Sequence, residues 1–111
     1  MNIKNYLENW ISAGNRYQTE NYLKFYLPDA VLTDPSVGQE FIGVEGIKEY
    51  FISYFIGYKT QTKIVSVDIK GEDHAFVLVE FTGEFPQKKL GGTFDMQFKN
   101  GKISKVTADL I

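Results

Sequence analysis

No cysteine occurs in the chain, which excludes disulfides, thiolate nucleophiles and thiolate metal sites outright. Histidine occurs once, at His74, so a multi-histidine metal centre is excluded as well. An all-carboxylate divalent site would need a spaced Asp/Glu loop, and none is visible. No metal and no cofactor is therefore expected. The twelve Lys and Arg residues are scattered, with only Lys88 and Lys89 adjacent, and the formal net charge is −2. Without a basic stripe to neutralise a phosphate backbone, nucleic acid is not an expected partner. No apolar run is long enough to span a bilayer, and the opening MNIKNYLENW lacks the positive-then-apolar order of a signal peptide. The expectation is a cytoplasmic protein with no membrane partner.

What is present is a globular composition with a surplus of rings. At 111 residues and 43% hydrophobic content the chain fits one domain, residues 1–111, with one core. Nine Phe, seven Tyr and one Trp exceed what a small core needs when aliphatics can fill it. Most of these rings must be core, and the remainder is the kind of surface that lines pockets for flat apolar ligands.

The first half of the chain has helical spacing. Ile3, Tyr6, Leu7, Trp10 and Ile11 make one buried stripe, with Gly14 placed to close the helix. A second, shorter helix is predicted from about Thr19 to Leu27, ended by Pro28-Asp29. Ala30 to Thr33 reads as a strand that sets Leu32 and Asp34 on one face, with Pro35 stopping the ladder. After a loop, Gly43 opens a third helix whose wide apolar face holds Val44, Ile47, Tyr50, Phe51, Tyr54 and Phe55, with Gly57 as its stop.

From Thr60 the period changes to two. Strands are predicted over 60–70, 74–85, 90–99 and 102–110, separated by Gly71-Glu72-Asp73, by Pro86 to Lys89, and by the tight hairpin signal Asn100-Gly101. Gly91-Gly92 suggests a bulge or bend. Helices first and strands after give an α+β fold: a cone-like, curved antiparallel sheet enclosing three N-terminal helices.

That order, together with the segments LPDAVLTDP and FIGVEGIKEYF and the hairpin Lys99-Asn100-Gly101-Lys102-Ile103, resembles the nuclear transport factor 2-like superfamily, and within it the SnoaL-like and ketosteroid-isomerase-like branch. The resemblance covers the whole chain and implies the cystatin-like fold. Ketosteroid isomerases pair an aspartate base with an oxyanion hole of a tyrosine and a protonated aspartate. Carried over, the base falls on Asp34 and the protonated aspartate near Asp95. The oxyanion tyrosine falls on Leu7, beside Tyr6 and Trp10, and Leu7 cannot donate a hydrogen bond. Two further family tyrosines fall on Tyr26 and on Phe51, next to Tyr50. A cyclase-type acid/base would fall on Asp95 or Asp109. The epoxide-hydrolase variant needs an arginine on the sheet, and Arg16 is the sole arginine.

The candidate catalytic residues are thus Asp34 and Asp95, and the candidate ligand-pocket residues are Trp10, Tyr26, Leu32, Tyr50, Phe51 and Tyr54. A desolvated carboxylate can take a proton from a carbon acid. The competing reading of Asp34 is an Asx turn that caps its own backbone, and Asp95 alternates with Phe94 and Met96 in a way that suits a solvated sheet face. His74 reads as an exposed turn residue. The functional expectation is a pocket for a small apolar or aromatic, carbonyl-bearing ligand, with isomerase- or cyclase-like catalysis through Asp34. The alternative is a non-catalytic ligand-binding or assembly domain. An uncovered apolar sheet face leads to the expectation of a homodimer.

Overall fold

A computed structural model describes residues 1–111. Helix α1 (Ile3–Asn15) is capped by Asn2, whose side chain accepts from the Asn5 amide at 3.0 Å. It does not close at Gly14. The Gln18 amide bonds back to Ala13 and the Tyr17 amide to Gly14, a Schellman end in which Tyr17 takes the left-handed position (φ 56°). The Tyr17 hydroxyl compensates by donating to the Thr60 carbonyl. Gly14 packs against the Tyr22 ring, which lies 3.5 Å from where a Cβ would be, an ordinary contact distance.

Helix α2 (Thr19–Leu23) is shorter than its apolar spacing suggested, because strand β1 (Tyr26–Asp34) begins before Pro28. Pro28 sits inside β1 at an irregularity, between the Tyr26–Ile103 and Val31–Lys105 pairs, where a missing amide is tolerated. A hairpin joins β1 to β2 (Gln39–Ile42), a short strand where the local sequence pattern predicts a loop. Helix α3 (Gly43–Phe51) follows and runs into a π turn (Ile52–Ile56), closed by the Gly57 amide on the Ile52 carbonyl.

Strands β3 (Gln61–Ile69), β4 (His74–Thr82), β5 (Lys89–Lys99) and β6 (Lys102–Leu110) form the antiparallel meander, and the sheet order is β2-β1-β6-β5-β4-β3. The sheet is six-stranded and curved, with one parallel pair, β1 with β6. Asn100 and Gly101 both take positive φ, as the tight turn requires. The pairing shifts fall between Ile64 and Ser66 and between Gln97 and Phe98, not at Gly91-Gly92. Gly92 has a different reason: a Cβ there would lie 2.3 Å from the Phe81 ring, so glycine lets that ring lie across the strand.

The helices cover one face of the sheet. Leu7, Trp10, Tyr26, Leu32, Ile47, Phe51, Phe94 and Met96 are all almost fully buried between the two layers. Asn15 ties α1 to β3 through both atoms of its amide: Nδ2 donates to the Thr62 carbonyl and Oδ1 accepts from the Thr62 amide. No helix is long and apolar enough to cross a membrane.

Candidate functional site

Asp34 is the last residue of β1, and the two-residue alternation that buries Leu32 turns Asp34 to the same helix-facing side. The residue is 6% exposed, and its carboxylate accepts three hydrogen bonds. Oδ1 takes the Ser36 amide at 2.9 Å and the Ser36 hydroxyl, so the Asx turn is real. Oδ2 takes the Tyr50 hydroxyl at 2.7 Å, a buried bond from α3. No lysine, arginine or histidine forms an ion pair with Asp34. Burial pushes the Tyr50 hydroxyl far above the ordinary phenol range, and the neighbouring carboxylate raises it further, so Tyr50 is a fixed donor at any physiological pH.

Asp34 and Tyr50 form one end of a cavity of about 340 Å³, within the range of small-ligand sites. Its far wall is Phe81 and Leu90 of the β4–β5 hairpin with Phe85 and Pro86 of the connecting loop, and Leu110 closes the end of β6. Tyr54, Phe55 and Tyr58 supply the helical wall, and nine of the fourteen lining residues are hydrophobic; the polar ones are Asp34, Ser36, Thr60 and Gln87. The Thr60 side chain bonds to the Tyr54 carbonyl, which fixes the end of the π turn. Tyr54 lines the cavity with its hydroxyl unpaired by any protein group.

The expected pocket residues divide sharply. Asp34, Tyr50 and Tyr54 line the cavity, whereas Trp10, Tyr26, Leu32 and Phe51 do not. Trp10 donates through Nε1 to the Tyr26 hydroxyl at 3.1 Å, and the Tyr22 and Tyr26 hydroxyls lie 2.7 Å apart. With Phe51 stacked on Tyr22 at 4.0 Å, this cluster fills the inner cone and leaves a void of only about 10 Å³ beside Trp10. Burial raises Tyr22 to about 12 and Tyr26 well above its ordinary value. These tyrosines satisfy one another as core. Leu7, where the resemblance placed an oxyanion tyrosine, is fully buried among them.

Asp95 stands outside the cavity, which corrects its expected pocket role. The alternation of β5 buries Phe94, Met96 and Phe98 and exposes Asp95 and Gln97 on the opposite face. There the Asp95 carboxylate accepts from His74 Nε2 at 2.5 Å, with both side chains more than a third exposed. His74, expected beside the turn at the start of a strand, opens β4. Asp109 is likewise exposed. The lining residues that sequence reasoning missed, Phe81, Phe85, Pro86 and Leu90 among them, lie on β4, β5 and the loop between them. Nothing local in their spacing says where that hairpin lands.

The fold has many relatives. A putative polyketide cyclase from Sinorhizobium meliloti superposes with a TM-score of 0.85 at 21% identity, covering 94% of this chain and 93% of that one. A putative ketosteroid isomerase from Kribbella flavida gives 0.83 at 17%, covering 96% and 75%. An NTF-2 like protein of unknown function from Burkholderia xenovorans gives 0.83 at 16%, covering 97% and 81%. At these identities the likeness is one of fold. No curated protein matches the sequence. The model of the SnoaL-like domain matches residues 7–106, from the first turns of α1 to the middle of β6, and the chain therefore belongs to the SnoaL-like domain family.

Proposed function

We propose that the chain binds a small apolar or aromatic ligand in the cavity between α3 and the β4–β5 hairpin, and that Asp34 acts there as an acid/base in isomerase- or cyclase-like proton transfer. The observation that carries the reading is a buried carboxylate, the one charged group lining a mainly apolar cavity, held by Tyr50 through one oxygen and by Ser36 through the other. Such a carboxylate is poised rather than floppy, and a carbon acid held in the cavity would present its proton to Oδ2, the oxygen with the fewer donors. The unpaired Tyr54 hydroxyl is the donor available to a ligand oxygen.

The test is hydrogen–deuterium exchange alpha to the carbonyl in a panel of small ketones. Wild type is expected to accelerate exchange, and Asp34→Asn to lose the acceleration by a factor of roughly a hundred or more. Binding without exchange in either form rejects catalysis for ketones and leaves the non-catalytic ligand-binding domain. The outer face of the sheet, with Phe76 and Val65 exposed, is the surface on which a second copy is proposed to dock.

A further inference from the structure

The charge balance of the cavity says more about its occupant than its size does. Six aromatic rings line it, Tyr50, Tyr54, Phe55, Tyr58, Phe81 and Phe85, together with one carboxylate. No lysine, arginine or histidine is among the lining residues. Of the lysines adjoining it in sequence, Lys59 pairs with Glu84 at 3.4 Å and Lys89 with Glu80 at 3.3 Å, while Lys88 is exposed and is not among the lining residues. Asp34 is buried, accepts three hydrogen bonds and has no cationic partner. Oδ1 has two donors and Oδ2 one, so an acceptor position on Oδ2 is left for a ligand.

Ring faces and a carboxylate both attract positive charge, and an apolar surround strengthens each attraction. An anionic ligand would set its charge against Asp34, whereas a protonated nitrogen would add a charge-assisted bond at the open Oδ2 position that a neutral ligand does not make. We infer that the cavity is a cation site whose ligand is a small apolar or aromatic molecule bearing a protonated nitrogen, with that nitrogen on Asp34 Oδ2 and its apolar part among the rings. This rests on the cavity being a ligand site and adds the charge of what it holds.

Three probes of nearly equal size separate the cases: benzylammonium, benzyl alcohol and benzoate, each titrated into the full chain at pH 7 and followed by calorimetry and by the aromatic proton resonances. Wild type is expected to bind benzylammonium at least tenfold tighter than benzyl alcohol and not to bind benzoate. Asp34→Asn should bring benzylammonium to the level of benzyl alcohol, and Tyr54→Leu should weaken benzylammonium more than benzyl alcohol and so narrow the difference. Equal or tighter binding of benzyl alcohol to wild type overturns the cation site and keeps the ligand cavity, as does binding of benzoate. Absence of binding by all three overturns both. A folded Asp34→Asn that keeps the full preference removes Asp34 as the recognising group, and should that variant fail to fold, the wild-type ranking and Tyr54→Leu still decide.

Discussion

The Tyr50–Asp34 bond is the point at which stability and the proposed chemistry meet, and Tyr50→Phe isolates it. The substitution keeps the ring, which packs on Phe41 at 4.9 Å and Tyr54 at 5.3 Å, and removes only the hydroxyl that donates to Oδ2 at 2.7 Å. A hydrogen bond to a charged, buried partner contributes about 1.5–3 kcal/mol. Because Asp34 borders an open cavity, water can replace the lost donor, which favours the lower end of that range. For 111 residues, an unfolding entropy of about 2.1 cal/mol/K per residue converts each kcal/mol into about 4 °C, so Tm should fall by about 6–12 °C. Thermal unfolding followed by circular dichroism at pH 7 gives the number directly. Asp34→Asn and the double variant complete a cycle, and a shared bond requires a coupling energy of about 1–2 kcal/mol. A Tyr50→Phe variant within about 2 °C of wild type, or a strictly additive double variant, would refute the reasoning.

Two further expectations come from other parts of the molecule. Burial holds Tyr6 and Tyr22 up at about 12 and raises Tyr26 and Tyr50 as well, so these hydroxyls stabilise the fold fully below the ordinary phenol value of 10 and stop doing so as pH rises from 10 through 12. Tm should decline across that window with phenolate absorbance appearing as the protein unfolds; full tyrosine ionisation with native circular dichroism intact contradicts this. On the outer sheet face, Phe76→Glu is expected to convert a dimer into a monomer by light scattering without changing Tm by more than a few degrees, since Phe76 is 38% exposed and lies outside the core. A wild-type protein that is already monomeric at about 100 μM removes the dimer.

The parts of the fold that could be read in advance are those fixed by local periodicity. The phase that buries Leu32 also aims Asp34 inward, and the positive-φ pair Asn100-Gly101 sets the last hairpin. The same logic applied to β5 carries Asp95 outward with Gln97, and only the family resemblance drew it toward the pocket. The errors lie where distant contacts override local pattern. Tyr26 continues the apolar spacing of α2, yet it pairs with Ile103 in the parallel β1–β6 ladder, seventy-odd residues away in sequence. Strand β2 buries only Phe41, too little for an alternation to be visible. Gly92 accommodates the Phe81 ring from the neighbouring strand, which no inspection of its own neighbours reveals. The candidate site shares this limit, because its near wall comes from Asp34 and Tyr50 while its far wall is a hairpin positioned by the curvature of the whole sheet.

For Asp34, turn formation and ligand chemistry are not alternatives. The Ser36 amide and hydroxyl occupy Oδ1 and thereby fix the plane of the carboxylate, and Tyr50 fixes Oδ2 from the opposite element. A group held by three bonds has little rotamer freedom left to lose when a ligand arrives, so the Asx turn preorganises the carboxylate. Asparagine at this position retains an oxygen for Ser36 and replaces the charged acceptor facing Tyr50 with an amide. The turn then survives and the negative charge does not, which is why one substitution can separate what the residue does for the fold from what it does for the cavity.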